Sequence, residues 1–325
     1  MRPVSIIGVG MIPFGKYPEK DTADLAWPAI KQAMEDAGTD RDDIGIAYCG
    51  SGYGGMMIGQ RTLTRLGMTG KPIINVENAC SSSSSAFHQA HMAVASGAYD
   101  VALVFGVDKL SQFGGGTIPL VDEDWEISQG MLMPALYAMR ACRYMHETGL
   151  TKEQLAGVSV KARAMGAHNP DAQFQKEISL EEVMNARPIA DPFTLLHCCP
   201  TGDGAAAAVI CAGDVAHKFE AAPIKILASD LCTGTYLTGY RDMTVPEITV
   251  RGASEAYEEA GVGPEDIDVA EIHDAFTIAE LLYYEAFGFC GRGEAIRLLE
   301  DGVTSIGGAK PVNPSRGLLS KGHPV

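Results

Sequence analysis

The chain has 325 residues, of which 46% are hydrophobic and 20% charged, so it can bury a large core and falls in the range of about two domains. A formal net charge of -16 at pH 7 excludes the basic surface that binding to nucleic acid or to an anionic membrane requires. No stretch approaches the roughly 20 apolar residues of a membrane span, and residues 1–13 run into a strand pattern instead of a signal peptide. These features predict a soluble, cytoplasmic protein.

The first third of the chain alternates short apolar runs with amphipathic segments. An amphipathic helix is expected after Asp21 or Thr22 as N-cap, with Gly38 as its C-terminal stop. A second helix is expected over 82–96. Buried strands are expected over residues 4–10, 44–49, 72–76 and 101–107. Apolar strands alternating with helices predict a parallel sheet covered on both faces.

The pattern changes between residues 111 and about 190. This segment has three consecutive glycines, a methionine-rich helical stretch and no clear strand, which predicts a largely helical insertion. The sheet is expected to resume at 204–213 and 224–230. Methionines can line an acyl pocket, but ordinary core filling is the simpler interpretation of those in this stretch. They are Met131, Met133, Met139 and Met145.

An internal repeat relates the two ends of the chain. Residues 33–49 align with residues 256–272 without a gap, including the glycine that stops a helix and the strand pattern after it. The alignment predicts two halves of similar topology.

Two histidines stand at positions that favour a site. The predicted strand 268–272 runs directly into His273 and Asp274, and ligands of such sheets bind beyond the carboxyl ends of strands. His323 lies in a Gly-His-Pro turn that fixes a loop. Taken alone, each is weak evidence, because a lone histidine is more often structural than catalytic.

Cys80 lies where a predicted strand passes into the helix over 82–96. Backbone N–H groups and the positive end of a helix dipole favour a thiolate there, which predicts a lowered pKa for Cys80. The serines after it are small enough for close approach, and Ser81 or Ser82 is expected to cap the helix. The other seven cysteines are scattered without a C-x-x-C pair, which indicates reduced thiols and neither a disulfide framework nor a zinc site.

Four ordered segments, "NACSSSSSA", "CCPTGDGAAAA", "HDAF" and "GLLSKGHPV", resemble signature segments of thiolases, in particular the sterol-carrier-protein-type branch. The resemblance implies an α/β, thiolase-like five-layered αβαβα fold of two similar halves with a helical loop-domain insertion. It places the N-terminal half, with the insertion at about 111–190, in residues 1–242 and the C-terminal half in residues 243–325. Thiolases continue past Gly-His-Pro with a strand and a Cys-x-Gly motif that supplies the general base, so the second half is expected to be incomplete.

The resemblance also implies roles for the candidate residues. Cys80 would take an acyl group from acyl-CoA as a thioester, His323 would activate Cys80 and bind the thioester oxygen, and His273 would complete the oxyanion site for an enolate. Asp274 would orient its loop. No permanently bound cofactor or metal is expected, since coenzyme A and acyl-CoA are substrates.

Three functions follow as hypotheses. The first is a thiolase, an acyltransferase of lipid metabolism that cleaves a 3-oxoacyl-CoA with coenzyme A or runs the reverse condensation. The second is a retro-aldolase that acts on a 3-hydroxyacyl-CoA side chain of a steroid, with Tyr283 or Tyr284 as acid or base, although helical packing is the simpler interpretation of both tyrosines. The third is a noncatalytic scaffold, which the presence of Cys80, His273 and His323 disfavours.

Partners follow from the same resemblance. A homodimer is expected, together with a small zinc-ribbon and OB-fold protein that helps to seat acyl-CoA. Few basic side chains are available for the phosphates of coenzyme A. The scattered candidates are Arg61, Arg65, Lys161 and Arg163.

Overall fold

A computed structural model describes residues 1–120, 124–235 and 241–324. The strands in these residues, in chain order, are β1 (Val4–Met11), β2 (Ile46–Gly50), β3 (Ile73–Val76), β4 (Val101–Lys109), β5 (Pro188–Ala190), β6 (Phe193–Thr194), β7 (Asp203–Ala212) and β8 (Ile224–Ile226).

The helices of the described residues are α1 (Thr22–Ala37), α2 (Ile58–Arg65), α3 (Ser82–Ala95), α4 (Trp125–Ser128), α5 (Met133–Thr148), α6 (Lys152–Gly166), α7 (Leu180–Met184), α8 (Glu247–Ala260), α9 (Thr277–Ala286), α10 (Ala295–Glu300) and α11 (Gly317–Lys321). Among these helices, none is both long enough and apolar enough to cross a membrane.

The chain divides into two compact units. The first comprises Met1–Gly115 and Thr201–Leu231 with Pro324, and the second comprises Gly116–Pro200 and Cys232–His323. The helical insertion therefore groups with the C-terminal part of the chain. The assignment of residues 1–242 and 243–325 to two thiolase-like halves remains a prediction.

The first unit contains a six-stranded mixed sheet with strand order β3-β2-β4-β7-β1-β8. β2 is parallel to both β3 and β4, whereas β7 lies antiparallel between β4 and β1, and β8 is antiparallel to β1. The prediction of a parallel sheet is therefore wrong for β7 and β8. Both strands follow the long segment after β4, so no short helical crossover fixes their direction.

Both faces of this sheet are covered, as the alternating pattern predicts. Along β4, Leu103 and Phe105 pack in the core with residues of α1 and α2. Ala102 and Val104 point to the other face and pack with residues of α3. Because side chains of a strand alternate between its faces, one strand contributes to two cores.

The second unit is mainly helical, which confirms the prediction for the insertion that carries α4 to α7. Its core contains Tyr144 of α5, Leu155 of α6 and Leu281 of α9. The predicted strand over 268–272 is wrong among the described residues: Ala270 forms only an isolated parallel bridge with Val312. A strand needs a ladder of such bonds, and the described residues supply one bridge at this place.

The two copies of the internal repeat have matching helix ends. Helix α1 ends at Gly38 with φ 64°, and helix α8 ends at Gly261 with φ 68°, both in the left-handed conformation that glycine adopts without strain. Burial differs between the copies. Seven residues of α1 are buried, and none of α8 is.

Candidate active site

Cys80 lies in the first unit, in the turn that joins β3 to α3. This turn is one 3-10 turn over Ala79–Ser81, and Ala79 adopts a left-handed conformation with φ 46°. Cys80 is exposed. The helix itself begins at Ser82, so the thiol stands just before the first turn of α3.

The serines that follow Cys80 fix the turn and let the helix approach the sheet. The Ser82 hydroxyl accepts the N–H of Asn78 at 2.8 Å and donates to the carbonyl of Ala79 at 2.7 Å. Neither Ser81 nor Ser82 makes the expected helix cap, because Ser81 has no side-chain cap bond and the Ser82 hydroxyl bonds to the preceding turn instead.

Ser83 packs on two glycines of the sheet. A Cβ placed at Gly50 would lie 2.4 Å from the Ser83 Cα, and one at Gly106 would lie 2.0 Å from the Ser83 Oγ. The start of α3 thus lies directly on the backbone of β2 and β4. Small residues on both sides make this close approach possible.

The expected lowering of the Cys80 pKa is wrong. Desolvation around the sulfur raises the pKa of the thiol, and the backbone N–H of Cys80 lowers it by less. The nearby carboxylate of Asp108 raises it further. The thiol therefore needs a base that removes its proton before it can act as a nucleophile.

Asp108 is a site residue that our sequence analysis missed. It is fully buried at the carboxyl end of β4, where it accepts the Ser51 hydroxyl at 3.0 Å and the backbone N–H groups of Gly52 and Tyr53 at 2.7 and 2.8 Å. Burial raises its pKa to about 6. The signal was present, since Asp108 is an acidic residue that directly follows the apolar run 101–107.

The two candidate histidines meet within the second unit. The Nε2 atom of His273 lies 3.3 Å from the Nε2 atom of His323, and the rings meet edge to face. Burial lowers the pKa of His273, and burial together with the charge of a protonated His273 lowers the pKa of His323 to about 3. Both imidazoles are therefore neutral at pH 7. A neutral imidazole can accept a proton from a thiol or donate an N–H to an oxygen that gains negative charge.

Three of the four signature segments converge on this pair. The backbone N–H of His323 donates to the carbonyl of Pro200 at 3.0 Å, and the N–H of Cys199 donates to the carbonyl of Ala275 at 2.9 Å. The "CCPTG" segment thus binds both the "HDAF" and the "GHP" segments. The fourth segment, with Cys80, belongs to the first unit.

Tyr284, one of the two tyrosines considered for retro-aldol chemistry, lies in a buried polar network. The Tyr284 hydroxyl is buried and bonds to Glu280, to Thr304 at 3.0 Å and to Lys161 at 3.0 Å. Burial raises the pKa of both Tyr283 and Tyr284. The contacts of the Tyr284 hydroxyl therefore indicate a structural role.

Each basic side chain considered for the phosphates of coenzyme A already has a protein partner. Arg61 donates to the carbonyl of Gly54, and Arg65 pairs with Asp21 and Asp24. Lys161 pairs with Glu280, and the Arg163 guanidinium lies 3.9 Å above the centre of the Phe174 ring. All four side chains therefore already make contacts within the protein.

Comparisons with known proteins cover the whole described fold. The family model "Thiolase, N-terminal domain" matches residues 4–214, and "Thiolase C-terminal domain-like" matches residues 229–325. The chain is 44% identical to benzoylsuccinyl-CoA thiolase subunit BbsB of Thauera aromatica, over 100% of this chain and 85% of that protein. It is 40% identical to acetyl-CoA acetyltransferase of Methanothermobacter thermautotrophicus, over 100% of this chain and 87% of that protein.

A solved structure agrees with these sequences. The Ltp2-ChsH2(DUF35) aldolase superposes with a TM-score of 0.86 and 29% identity, over 99% of this chain and 86% of that one. These matches confirm the α/β thiolase-like fold, and the chain belongs to the thiolase family of acyltransferases.

Proposed function

We propose that the protein is a thiolase that transfers an acyl group through Cys80. In the cleavage direction, the Cys80 sulfur attacks the 3-oxo carbonyl of a 3-oxoacyl-CoA while His323 accepts the thiol proton. The C2–C3 bond then breaks, and its electron pair leaves as the enolate of acetyl-CoA, which His273 stabilises until C2 takes up the proton that left Cys80. Coenzyme A finally attacks the acyl-Cys80 thioester, and its thiol proton passes to the departing Cys80 sulfur, which releases acyl-CoA and returns the thiol.

The observation that carries the proposal is the pair of neutral imidazoles, His273 and His323, in a chain of the thiolase family. One neutral ring can act as a base while the other donates an N–H to a developing oxyanion. The raised pKa of Cys80 agrees with this scheme, because a thiol that is protonated at pH 7 needs a base.

Acyl transfer to Cys80 can be tested by mass spectrometry. Trypsin cleaves after Arg65 and Lys109 but not between Lys71 and Pro72, so it releases Cys80 in the peptide of residues 66–109. Cys80 is the sole cysteine of this peptide. After incubation with a saturated acyl-CoA, we expect the acyl mass on this peptide, and neutral hydroxylamine should remove it as a thioester.

Two variants complete this test. Cys80→Ser should lose both the adduct and the turnover, whereas Cys142→Ser, which changes another exposed cysteine, should keep both. Full turnover by Cys80→Ser without an adduct in the parent would rule out the thiolase mechanism.

A retro-aldolase is the second candidate, because the solved structure that superposes at a TM-score of 0.86 is an aldolase. Retro-aldol cleavage of a 3-hydroxyacyl-CoA needs no acyl-cysteine. Activity of Cys80→Ser on a 3-hydroxyacyl-CoA, together with no activity of the parent on a 3-oxoacyl-CoA, would favour it.

We further infer a cytoplasmic enzyme of lipid metabolism that forms a homodimer and works with a small zinc-ribbon and OB-fold protein. None of the eight cysteines, all of which lie in the described residues, forms a disulfide bond, and this suits a reducing compartment. Strand β3 lies at the edge of the sheet with Ile74 exposed, which supports pairing of two copies there.

The aldolase neighbour pairs Ltp2 with a DUF35 protein, and the relative from Thauera aromatica is named as a subunit. Tight binding of coenzyme A by the purified chain alone would count against a need for the partner.

A further inference from the structure

Asp274 connects the segment that carries His273 to the segment that leads to His323. Its side chain is fully buried, and its Oδ1 atom accepts the backbone N–H of Leu318 at 2.5 Å. Leu318 lies in α11, the short helix that ends at Lys321, two residues before His323. The carboxyl group therefore bonds one histidine segment to the other.

Asn313 reinforces the same connection. Its Oδ1 atom accepts the N–H of Ile272 at 2.7 Å, and its backbone N–H donates to the carbonyl of Ala270 at 2.8 Å. Asn313 is buried and adopts a left-handed conformation with φ 54°. The residues just before His273 are thus fixed to the segment just before α11.

Gly317 shows how closely the two segments pack. A Cβ at this position would lie 2.2 Å from Asp274 Oδ2 and 2.5 Å from Asn313 Nδ2. Gly317 also has φ +55°, which a residue with a side chain adopts only with strain. Only glycine lets the backbone of α11 reach the carboxyl group of Asp274.

We propose that Asp274 is a positioning residue that holds the imidazoles of His273 and His323 at their mutual distance. This role rests on the proposed function for its effect on catalysis, and on the contacts above for its effect on geometry. Asp274 transfers no proton in this scheme. It acts through the two histidines.

The charges near Asp274 indicate which substitution should preserve the role. Lys161 and Glu280 form a buried ion pair with side-chain exposures of 6% and 0%, so the charge of Lys161 is already paired. Burial, together with the charge of Glu280, raises the pKa of Asp274 to about 7. An amide is neutral and keeps the acceptor oxygen, so Asp274→Asn should retain the bond to Leu318, whereas Asp274→Ala removes it.

Histidine NMR tests the geometry without reference to activity. In protein labelled with ¹⁵N-histidine, with the signals of the pair assigned by single His variants, both imidazoles of the parent should titrate below the ordinary histidine value of 6.5. In Asp274→Ala the pair should loosen and gain water, so the titration midpoint of each ring should move up by about one pH unit or more. Asp274→Asn should resemble the parent. Unchanged midpoints in Asp274→Ala would overturn the proposal.

Two further variants make the result specific. Glu285→Ala is the matched control, because Glu285 on α9 accepts the N–H of Gly293 at 2.7 Å and bonds to neither histidine segment. Glu285→Ala should leave the titration midpoints of both imidazoles unchanged, even if it lowers the free energy of unfolding. Asn313→Gly removes the acceptor for the Ile272 N–H and adopts the left-handed conformation at this position without strain. It should move the midpoints in the same direction by less, and it serves as the test if Asp274→Ala does not fold.

Activity then links the geometry to catalysis. A displacement of the imidazoles should lower kcat about 100-fold in Asp274→Ala with little change in KM, and Asp274→Asn should recover most of it. If the parent itself forms no acyl-Cys80, the proposed function fails while the NMR result still decides the role of Asp274. A parent-like kcat in Asp274→Ala beside an acylated parent would overturn the positioning role alone.

Discussion

The Nε2 atoms of His273 and His323 lie 3.3 Å apart, although 50 positions separate the residues in the chain. At this distance the two nitrogens can share one hydrogen bond, and the tautomers of the rings decide which nitrogen donates. Protonation of one ring disfavours protonation of the other, which lowers the pKa of His323 in addition to the effect of burial.

Substitution of the two histidines should separate the two halves of the reaction. His273→Ala should still acylate Cys80 from a saturated acyl-CoA, because that step forms no enolate, but its turnover of a 3-oxoacyl-CoA should fall by roughly 100- to 1,000-fold, since alanine has no N–H to donate to the enolate oxygen. His323→Asn should slow both reactions, since it removes the base that we propose for the thiol. Adduct formation on the peptide 66–109 and steady-state thiolysis measure the two steps.

The exposed His168 provides the control for this pair of variants. His168→Asn should match the parent in both assays. Equal losses of both activities in His273→Ala and His323→Asn would contradict the division of roles.

Asp108 should make the thiol of Cys80 less acidic. Its pKa of about 6 leaves it mostly ionised at pH 7, and its negative charge disfavours the Cys80 thiolate. Asp108→Asn should therefore move the pH midpoint for alkylation of Cys80 by iodoacetamide to lower pH, followed on the peptide 66–109. Asp100→Asn, at the opposite end of β4, should not move it. A shift to higher pH in Asp108→Asn would contradict the electrostatic argument.

Helix α3 shows what local sequence can predict. The expected helix over 82–96 matches Ser82–Ala95, and the expected stop of α1 at Gly38 is confirmed, because apolar spacing and a left-handed glycine are local features. The direction of β7 was not predictable in this way. Strand direction depends on pairing with β1 and β4, which are distant in sequence.

The candidate site also has features that local sequence predicts and features that it does not. His273 and His323 belong to segments that resemble thiolase motifs, so the sequence identifies both as candidates. Their contact, the bond of His323 to Pro200 and the burial of Asp108 depend on long-range packing. The pKa of Cys80 was predicted with the wrong sign because desolvation arises from tertiary surroundings, whereas the helix terminus is a local feature.

Gly50→Ala should destabilise the first unit. Its new methyl group would lie 2.4 Å from the Ser83 Cα, so α3 would have to move away from β2, and we expect a loss of about 1–3 kcal/mol in the free energy of unfolding. Gly157→Ala is the matched control, since its nearest neighbour, Leu299 Cδ2, lies at 3.5 Å and alanine favours a helix such as α6 by about 0.5–1 kcal/mol. Urea unfolding should show a lower free energy of unfolding for Gly50→Ala and a higher one for Gly157→Ala. Equal changes in the two variants would contradict the packing argument.

The buried His323 should make stability depend on pH in the acidic range. Its pKa is about 3 in the folded protein and near 6.5 when unfolded, so between these values the unfolded chain binds a proton that the folded one excludes. Stability is therefore lost as pH falls from 6.5 towards 3. Asp274 acts in the opposite direction, because its raised pKa of about 7 lets the folded state keep a proton that the unfolded carboxylate releases. The pH dependence of the parent's stability is thus the sum of these opposing contributions.

The difference between His323→Asn and the parent gives the contribution of the His323 imidazole together with its coupling to His273, since Asp274 and the other titrating groups are present in both proteins. The free energy of unfolding of the variant relative to the parent should rise by up to about 1.4 kcal/mol per pH unit below pH 6.5. It should stay constant between pH 7 and 8, where His323 is neutral in the folded and the unfolded state. Urea unfolding at pH 8, 7, 6 and 5 measures the difference. A difference that is constant down to pH 5 would mean that His323 accepts protons as readily in the folded protein as in the unfolded chain, and would contradict its burial as the cause of its low pKa.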